Sequence, residues 1–277
     1  GNATQLRAVR AIDDEALEIG QRRGRRPIRP VELLDDLRST IGVEIREYDE
    51  FIEAFVRGVR EVFPRAILQW EDFHKDRAFL LQQRYAKRLP SFNDDIQGTA
   101  SVALAGILAA LRITKQRMAE QRIVFVGAGA ACTGIARLCA IAMREDGADD
   151  ATVRRALFAL DSQGLLHDGR TIDEPHKQEL ALPRAVMLEY GLAQNEKLAP
   201  LDVIRAVKPT ILVGATARAG SFTQEMLETM ARGVERPIVL PLSNPTSKAE
   251  CTAEDAIRWT SGRAIVGTLD NGRLALS

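Results

Sequence analysis

Two short segments hold the residues best suited to chemistry. Glu71 and Asp72 close the apolar run Ile67-Leu68-Gln69-Trp70, and Asn93, Asp94 and Asp95 stand just before a long apolar stretch that begins at Ile96. Residues 66–70 read as a buried strand, which sets Glu71 and Asp72 at its carboxyl end. Asn93, Asp94 and Asp95 occupy positions where side-chain oxygens cap a helix and carboxylates meet the positive end of its dipole. Four carboxylates drawn together repel one another unless a cation sits between them. All-oxygen ligands suit a hard ion such as Mg2+ or Mn2+. Each pair alone also reads as a helix cap or a solvated turn. Two such pairs beside apolar elements, followed by a nucleotide-type glycine turn, shift the reading to a divalent metal site.

That turn is Gly127-Ala128-Gly129-Ala130-Ala131-Cys132-Thr133-Gly134, entered from Ile123-Val124-Phe125-Val126 and continued as a helix. Strand, glycine turn and helix opening in that order are the context a dinucleotide site requires. Gly127 permits the tight turn, Gly129 lets the backbone approach a pyrophosphate, and the free amides at the helix start hold the phosphate charge. Cys132 stands where a third glycine is usual. Asp161 ends the next apolar strand, where an acid accepts bonds from ribose hydroxyls. It lies further past Gly127 than the usual spacing of about 20 residues, which a longer first crossover explains. Asp161 before Ser162-Gln163-Gly164 also reads as a turn. An acid here disfavours a 2′-phosphate, while Arg154, Arg155, Arg170 and Lys177 keep NADP compatible. Two later strand ends point into the same crevice, at Gly214-Ala215-Thr216 and at Ser243-Asn244-Pro245-Thr246. Ligands bind at the carboxyl ends of such parallel strands.

The elements that must position these groups follow from periodicity. Phe51, Ile52, Phe55, Val56, Val59 and Val62 repeat with helical period up to Pro64. After the strand at 66–70, a helix runs to about Leu89 and stops at Pro90. Residues 96–113 read as one helix rich in Ala and Gly. Strand and helix then alternate: strand 123–126, helix 131–145, strand 156–160, a helix within 174–190, strand 210–213, helix 223–232, strand 237–240, helix 252–260 and strand 264–266. That alternation predicts an α/β, doubly wound parallel sheet of Rossmann type with a helix-rich amino-terminal flank. The division falls at 1–95, the flank with the metal carboxylates, and 96–277, the NAD(P)-binding domain.

Composition limits the rest. Lys+Arg and Asp+Glu both total 38, so no net field favours nucleic acid or an anionic membrane. The longest apolar run, Val102 to Leu111, is shorter than the roughly 20 residues that span a bilayer. No charged-then-apolar leader opens the chain, and its first residue, Gly1, suggests a processed or excised segment. Cys132, Cys139 and Cys251 lack metal-ligand spacing and read as core residues in a reducing cytoplasm. His74, His167 and His176 are isolated, which argues against a histidine site, and Arg22-Arg23-Gly24-Arg25-Arg26-Pro27 reads as a solvated basic loop.

The same residues carry a resemblance. Trp70-Glu71-Asp72-Phe73 and Phe92-Asn93-Asp94-Asp95-Ile96-Gln97-Gly98-Thr99-Ala100 resemble two signature segments of the malic enzyme family, with Trp70 where Phe is usual. Gly127-Ala128-Gly129, Leu160-Asp161-Ser162-Gln163-Gly164-Leu165, Leu242-Ser243-Asn244-Pro245-Thr246 and Ala249-Glu250-Cys251-Thr252 are similar to further segments in the right order. The likeness extends from about Tyr48 to Gly267. It implies a divalent metal on Glu71, Asp72 and Asp95, with Asp94 orienting the catalytic base. It places Thr99 and Asp161 on the dinucleotide, and Asn244 on both cofactor and substrate. Gln178 stands where a lysine accompanies NADP preference in some members, which favours NAD. The implied activity is NAD-dependent oxidative decarboxylation of L-malate to pyruvate and CO2 by a homo-oligomer, dimer or tetramer. A malolactic enzyme that releases lactate is one alternative, and a non-catalytic dinucleotide-binding module another. The family's catalytic tyrosine and lysine and a substrate-binding arginine have no counterpart read here. Past Thr268 the chain departs from the family pattern, and residues 269–277 suggest a truncation or foreign residues.

Overall fold

A computed structural model describes residues 45–73, 75–192, 197–270 and 273–276. The basic stretch Arg22–Pro27 and His74 lie outside them. The chain divides into two compact units, 1–67 and 68–277. In the first, helix α1 (Ile45–Val62) buries Ile52 and Val56 and exposes Arg57 and Arg60.

The second unit opens with a two-stranded parallel pair, β1 (Leu68–Trp70) and β2 (Ser91–Asn93), linked by helix α2 (Lys75–Tyr85). Both strand and helix are shorter than the periodicity predicts. Trp70 stacks on Tyr85 with 5.3 Å between ring centroids, and both are buried, so one aromatic contact ties α2 to the strand end. Asp94–Gly98 then forms one π-helical turn, in which the Thr99 N–H bonds back to the Asp94 carbonyl. It leads directly into α3 (Thr99–Thr114).

The seven-stranded sheet follows. Its strands are β3 (Ile123–Val126), β4 (Leu157–Asp161), β5 (Gly164–Leu165), β6 (Ile211–Gly214), β7 (Ile238–Pro241), β8 (Ile265–Asp270) and β9 (Arg273–Leu276), in spatial order β5-β4-β3-β6-β7-β8-β9. The five central strands are parallel, as the pattern predicts. The edge strands β5 and β9 run antiparallel to their neighbours and are not predicted by it. Between them lie α4 (Ala130–Glu145), α5 (Asp150–Ala156), α6 (Pro175–Gln178), α7 (Arg184–Glu189), α8 (Pro200–Val207), α9 (Gln224–Gly233) and α10 (Ala253–Trp259). The single helix expected within 174–190 is two, α6 and α7. The short helices α5 and α8 are additions fixed by local caps: Asp149 accepts the Thr152 N–H at 2.7 Å, and Asp202 accepts the Ala199 N–H at 3.0 Å.

Two-residue alternation builds a core on each face of the sheet. Ile123, Phe125, Ile211, Val213, Ile238 and Leu240 face α3 and α4. Val124, Val126, Leu212, Val239 and Val266 face α7, α8, α9 and α10. Burying both faces is what makes these strands read as continuous apolar runs. Asp94–Thr114 together form one 21-residue helix long and apolar enough to cross a membrane, longer than the run at 102–111 suggests. Here its inward positions Ala103, Ile107 and Ala110 are fully buried in the sheet's core.

Candidate functional site

Parallel pairing of β1 with β2 sets Trp70 opposite Asn93, so Glu71-Asp72 and Asp94-Asp95 leave neighbouring strands in the same direction. Asn93 is fully buried and organises the second acidic turn: its Oδ1 accepts the Ile96 N–H at 2.9 Å, and its own N–H donates to Gln97 Oε1 at 3.0 Å. Asp72 has φ of 61°, a left-handed conformation that Asp tolerates better than most residues. Its N–H donates to Asp95 Oδ2 at 3.0 Å, which joins the two turns. Glu71 is exposed and accepts from Gln69 Nε2 at 3.0 Å. The donors are hard oxygens at adjoining strand ends. Yet among the described residues no three His, Cys, Asp or Glu side chains converge as an ion requires.

The glycine turn ends β3 at the centre of the sheet. Gly127 has φ of 103°, and a Cβ there would lie 2.4 Å from the Ala215 carbonyl oxygen, so the position excludes any side chain. The N–H groups of Gly127 and Ala128 both donate to the Leu160 carbonyl at 2.9 Å, which locks the turn onto β4. Ala128, expected to face the cofactor, therefore uses its amide inside the protein. No side chain caps the start of α4, so its first turn, from Ala130 and Ala131, presents unpaired amides at the positive end of the helix. Ala215 N–H donates to the Val126 carbonyl, placing Gly214–Thr216 on the other flank of the turn. Sequence order reverses between β3 and β6, and such a switch point opens a ligand crevice.

Asp161 ends β4 beside that crevice with its carboxylate engaged. Arg170 Nη2 donates to Oδ2 at 2.6 Å, Lys177 Nζ approaches Oδ2 at 3.3 Å, and the Gln163 N–H donates to Oδ1 at 2.9 Å. Burial alone raises the carboxyl pKa. The bonds from Arg170 and Gln163, and the Arg170 charge, outweigh it and hold the group below its ordinary value. Lys177 also pairs with Glu174 at 2.5 Å, and Gln178 Nε2 donates to the Ile172 carbonyl at 2.6 Å. Arg155 is bonded to Glu189. The cations read as compatible with a 2′-phosphate are thus largely engaged by acids. One buried donor of this cluster, Arg170 Nε, has no partner among the described residues. Ser162 is exposed beside it.

Asn244 is exposed after β7, and its bond to Pro245 is cis. Thr99 sits half-buried at the start of α3, one turn beyond Asp95. The structure thus gathers Gly127–Ala131, Asp161 and Gly214–Thr216 along one edge of the sheet and Glu71, Asp72, Asp94 and Asp95 at the paired strand ends. The three cysteines are buried thiols, with burial raising Cys139 and Cys251 to about 12 and Cys132 still further. They remain protonated and serve the core.

Sequence reasoning gave no role to Glu250, which is fully buried. Its carboxylate accepts the Thr216 N–H at 2.8 Å, the Thr216 hydroxyl at 2.6 Å, the Ser243 hydroxyl, and the Ser243 N–H at 3.2 Å. It stands in the family-like segment Ala249–Thr252, yet nothing local assigns it a role, because its surroundings exist only once the ends of β6 and β7 meet.

Residues 96–269 match the family model described as malic enzyme, NAD binding domain, and residues 38–86 match that of malic enzyme, N-terminal domain. The NAD-dependent malic enzyme of Pseudomonas aeruginosa is 40% identical over 222 residues, covering 80% of this chain and 39% of that enzyme. Its counterpart in Shewanella frigidimarina is 42% identical over the same shares, 80% and 39%. Among solved structures, a malic enzyme of Entamoeba histolytica superposes with a TM-score of 0.62 at 26% identity, over 78% of this chain and 41% of that one. The NAD-dependent malic enzyme of Thermotoga maritima gives 0.55 at 25% identity, over 79% and 52%. The chain spans 39% of the length of those two bacterial relatives.

Proposed function

The chain belongs to the malic enzyme family, and from that premise we propose that it supplies the NAD-binding and acidic part of an enzyme that oxidises L-malate and decarboxylates it to pyruvate and CO2. The observation that carries the cofactor reading is the uncapped start of α4 behind the Gly127 turn, at the switch point between β3 and β6.

In this reading the first-turn amides at Ala130 and Ala131 hold the pyrophosphate, as helix starts hold anions generally. Arg170 and Lys177 fix Asp161 on the adenosine side. Because these cations are matched by Asp161 and Glu174, an added 2′-phosphate meets little uncompensated charge, and NAD is the preferred dinucleotide. Thr216 and Asn244 lie on the nicotinamide side, with Asn244 also reaching substrate, and Thr99 contacts the dinucleotide from the start of α3. NAD, when bound, supplies the hydride acceptor, and the protein supplies its orientation.

Glu71, Asp72 and Asp95 are the proposed ligands of Mg2+ or Mn2+, with Asp94 orienting the base. Closing that site requires Glu71 to turn away from Gln69, and Asp95 to share the oxygen that now accepts the Asp72 amide. A divalent ion held there would supply Lewis-acid stabilisation of negative charge on a substrate oxygen. A dimeric or tetrameric assembly in the cytoplasm belongs to the same proposal, and light scattering tests its oligomeric part.

The deciding experiment is a fluorescence titration of the folded chain with NADH and NADPH, with and without Mn2+. Saturable binding that favours NADH is expected. Absence of binding by a folded chain rejects the cofactor reading.

A further inference from the structure

The carboxylate of Glu250 takes four donors, all from Thr216 and Ser243, the residues that follow β6 and β7. The arrangement is built around it. A Cβ on Gly214 would lie 2.5 Å from Glu250 Cγ and 2.8 Å from its Oε2, so the bare glycine leaves the room the side chain fills. Ser243 Oγ in turn accepts the Ala217 N–H at 2.8 Å, and the Phe222 N–H donates to the Glu250 carbonyl at 3.1 Å. One side chain thereby fixes both strand-end loops. Among the described residues no lysine or arginine pairs with it, and all four of its donors are neutral.

We propose that Glu250 is a positioning residue for the nicotinamide half of the dinucleotide, holding the loops after β6 and β7 in place and favouring the cationic oxidised ring over the neutral reduced one. The proposal rests on the dinucleotide reading above. The first part follows from the bonds. The second follows from charge: a buried carboxylate without a countercharge acts through a low-dielectric medium on whatever ring the two loops hold. An oxidised nicotinamide carries a positive charge, and hydride transfer removes it.

Two measurements on the full 277-residue chain test this. Glu250→Gln keeps the shape and removes the charge. The dissociation constant for NAD+ is expected to rise roughly tenfold and that for NADH about threefold or less, a difference set by charge. Equal weakening of both, or no change in either, overturns the charge effect. In the dinucleotide-free chain, amide hydrogen exchange at Thr216 and Ser243 is expected to accelerate at least about tenfold while β6 and β7 keep their protection. Unchanged exchange overturns the positioning role. If the wild-type chain binds no dinucleotide, the cofactor reading and the proposal fail together; if it binds and Glu250→Gln changes neither affinity nor exchange, the proposal alone fails. If Glu250→Gln does not fold, Thr216→Val and Ser243→Ala each remove one hydroxyl donor while leaving Glu250 in place. They are expected to loosen the same loops to a smaller extent, and normal exchange in both overturns the positioning role.

Discussion

Glu250 and Asp161 stand at the carboxyl edge of the large sheet, buried or nearly so, with four and three donors aimed at their carboxylates. Glu71 and Asp72 stand at the carboxyl edge of the β1–β2 pair, and both are exposed. All four acids end strands or enter the loops beyond them. Where the surrounding chain supplies amides, hydroxyls and guanidinium groups in matched number, the negative charge becomes part of the framework. Where the carboxylates face solvent, as at Glu71 and Asp72, fewer buried groups depend on their charge. The contrast separates acids bonded into the framework of a site from acids exposed at a strand end.

Removing a framework acid must therefore cost folding stability, and removing an acid of the other kind must not. The largest loss is expected for Glu250→Ala, which strands the Thr216 and Ser243 donors in a buried space. Urea unfolding is expected to show a loss of about 3 kcal/mol or more. Gly127→Ala comes next: the positive φ and the Ala215 carbonyl both oppose a Cβ, for about 1–3 kcal/mol together with loss of NADH binding.

Asp161→Asn follows, and its signature is in pH. The folded pKa of Asp161 is lowered, so its contribution is full above the ordinary carboxylate value of about 4 and fades as pH falls below it. Unfolding midpoints from pH 7 to pH 3 are expected to fall more steeply for the wild type than for the variant. Parallel curves would mean that the Arg170 pair adds nothing. The smallest effect on stability belongs to Asp95→Asn, which keeps an oxygen to accept the Asp72 N–H and is expected within about 0.5 kcal/mol, with divalent-ion dependence abolished and NADH affinity nearly unchanged. A loss comparable to Glu250→Ala would place Asp95 in the framework and collapse the distinction.

The parallel strands of the sheet are legible in the sequence because both faces are buried, which turns each strand into an apolar run bounded by Gly or a turn residue. Ile123–Val126 matches to the residue for that reason. Strand β5 has two residues and no pattern to detect. Strand β9 lies in the tail that resembles nothing in the family, yet Asn271-Gly272 is a strong hairpin dipeptide. The observed pairing of Asp270 with Arg273 spans those two residues. Taken seriously, that dipeptide identifies the strand without any resemblance. The site divides in the same way. Glycine turns and doubled carboxylates declare themselves by type and spacing. That Ala128 turns its amide inward, that Asp161 is held by cations, and that Glu250 matters at all depend on groups far away in the chain.

The centre of the sheet joins parts of the chain that are distant in sequence. Arg122 and Thr210, 88 residues apart, exchange bonds through the Arg122 N–H to Thr210 Oγ1 at 3.0 Å and the Thr210 N–H to the Arg122 carbonyl at 2.9 Å. Strands β3 and β6 continue that pairing along their length. Closing a loop of this size costs entropy before any contact rewards it, which makes the β3–β6 pairing one of the non-local contacts that slow folding. During synthesis the glycine turn emerges long before its neighbour across the crevice. The cofactor cleft therefore has one wall only until β6 is made, and an arrested chain ending before β6 presents a glycine turn with no opposite wall.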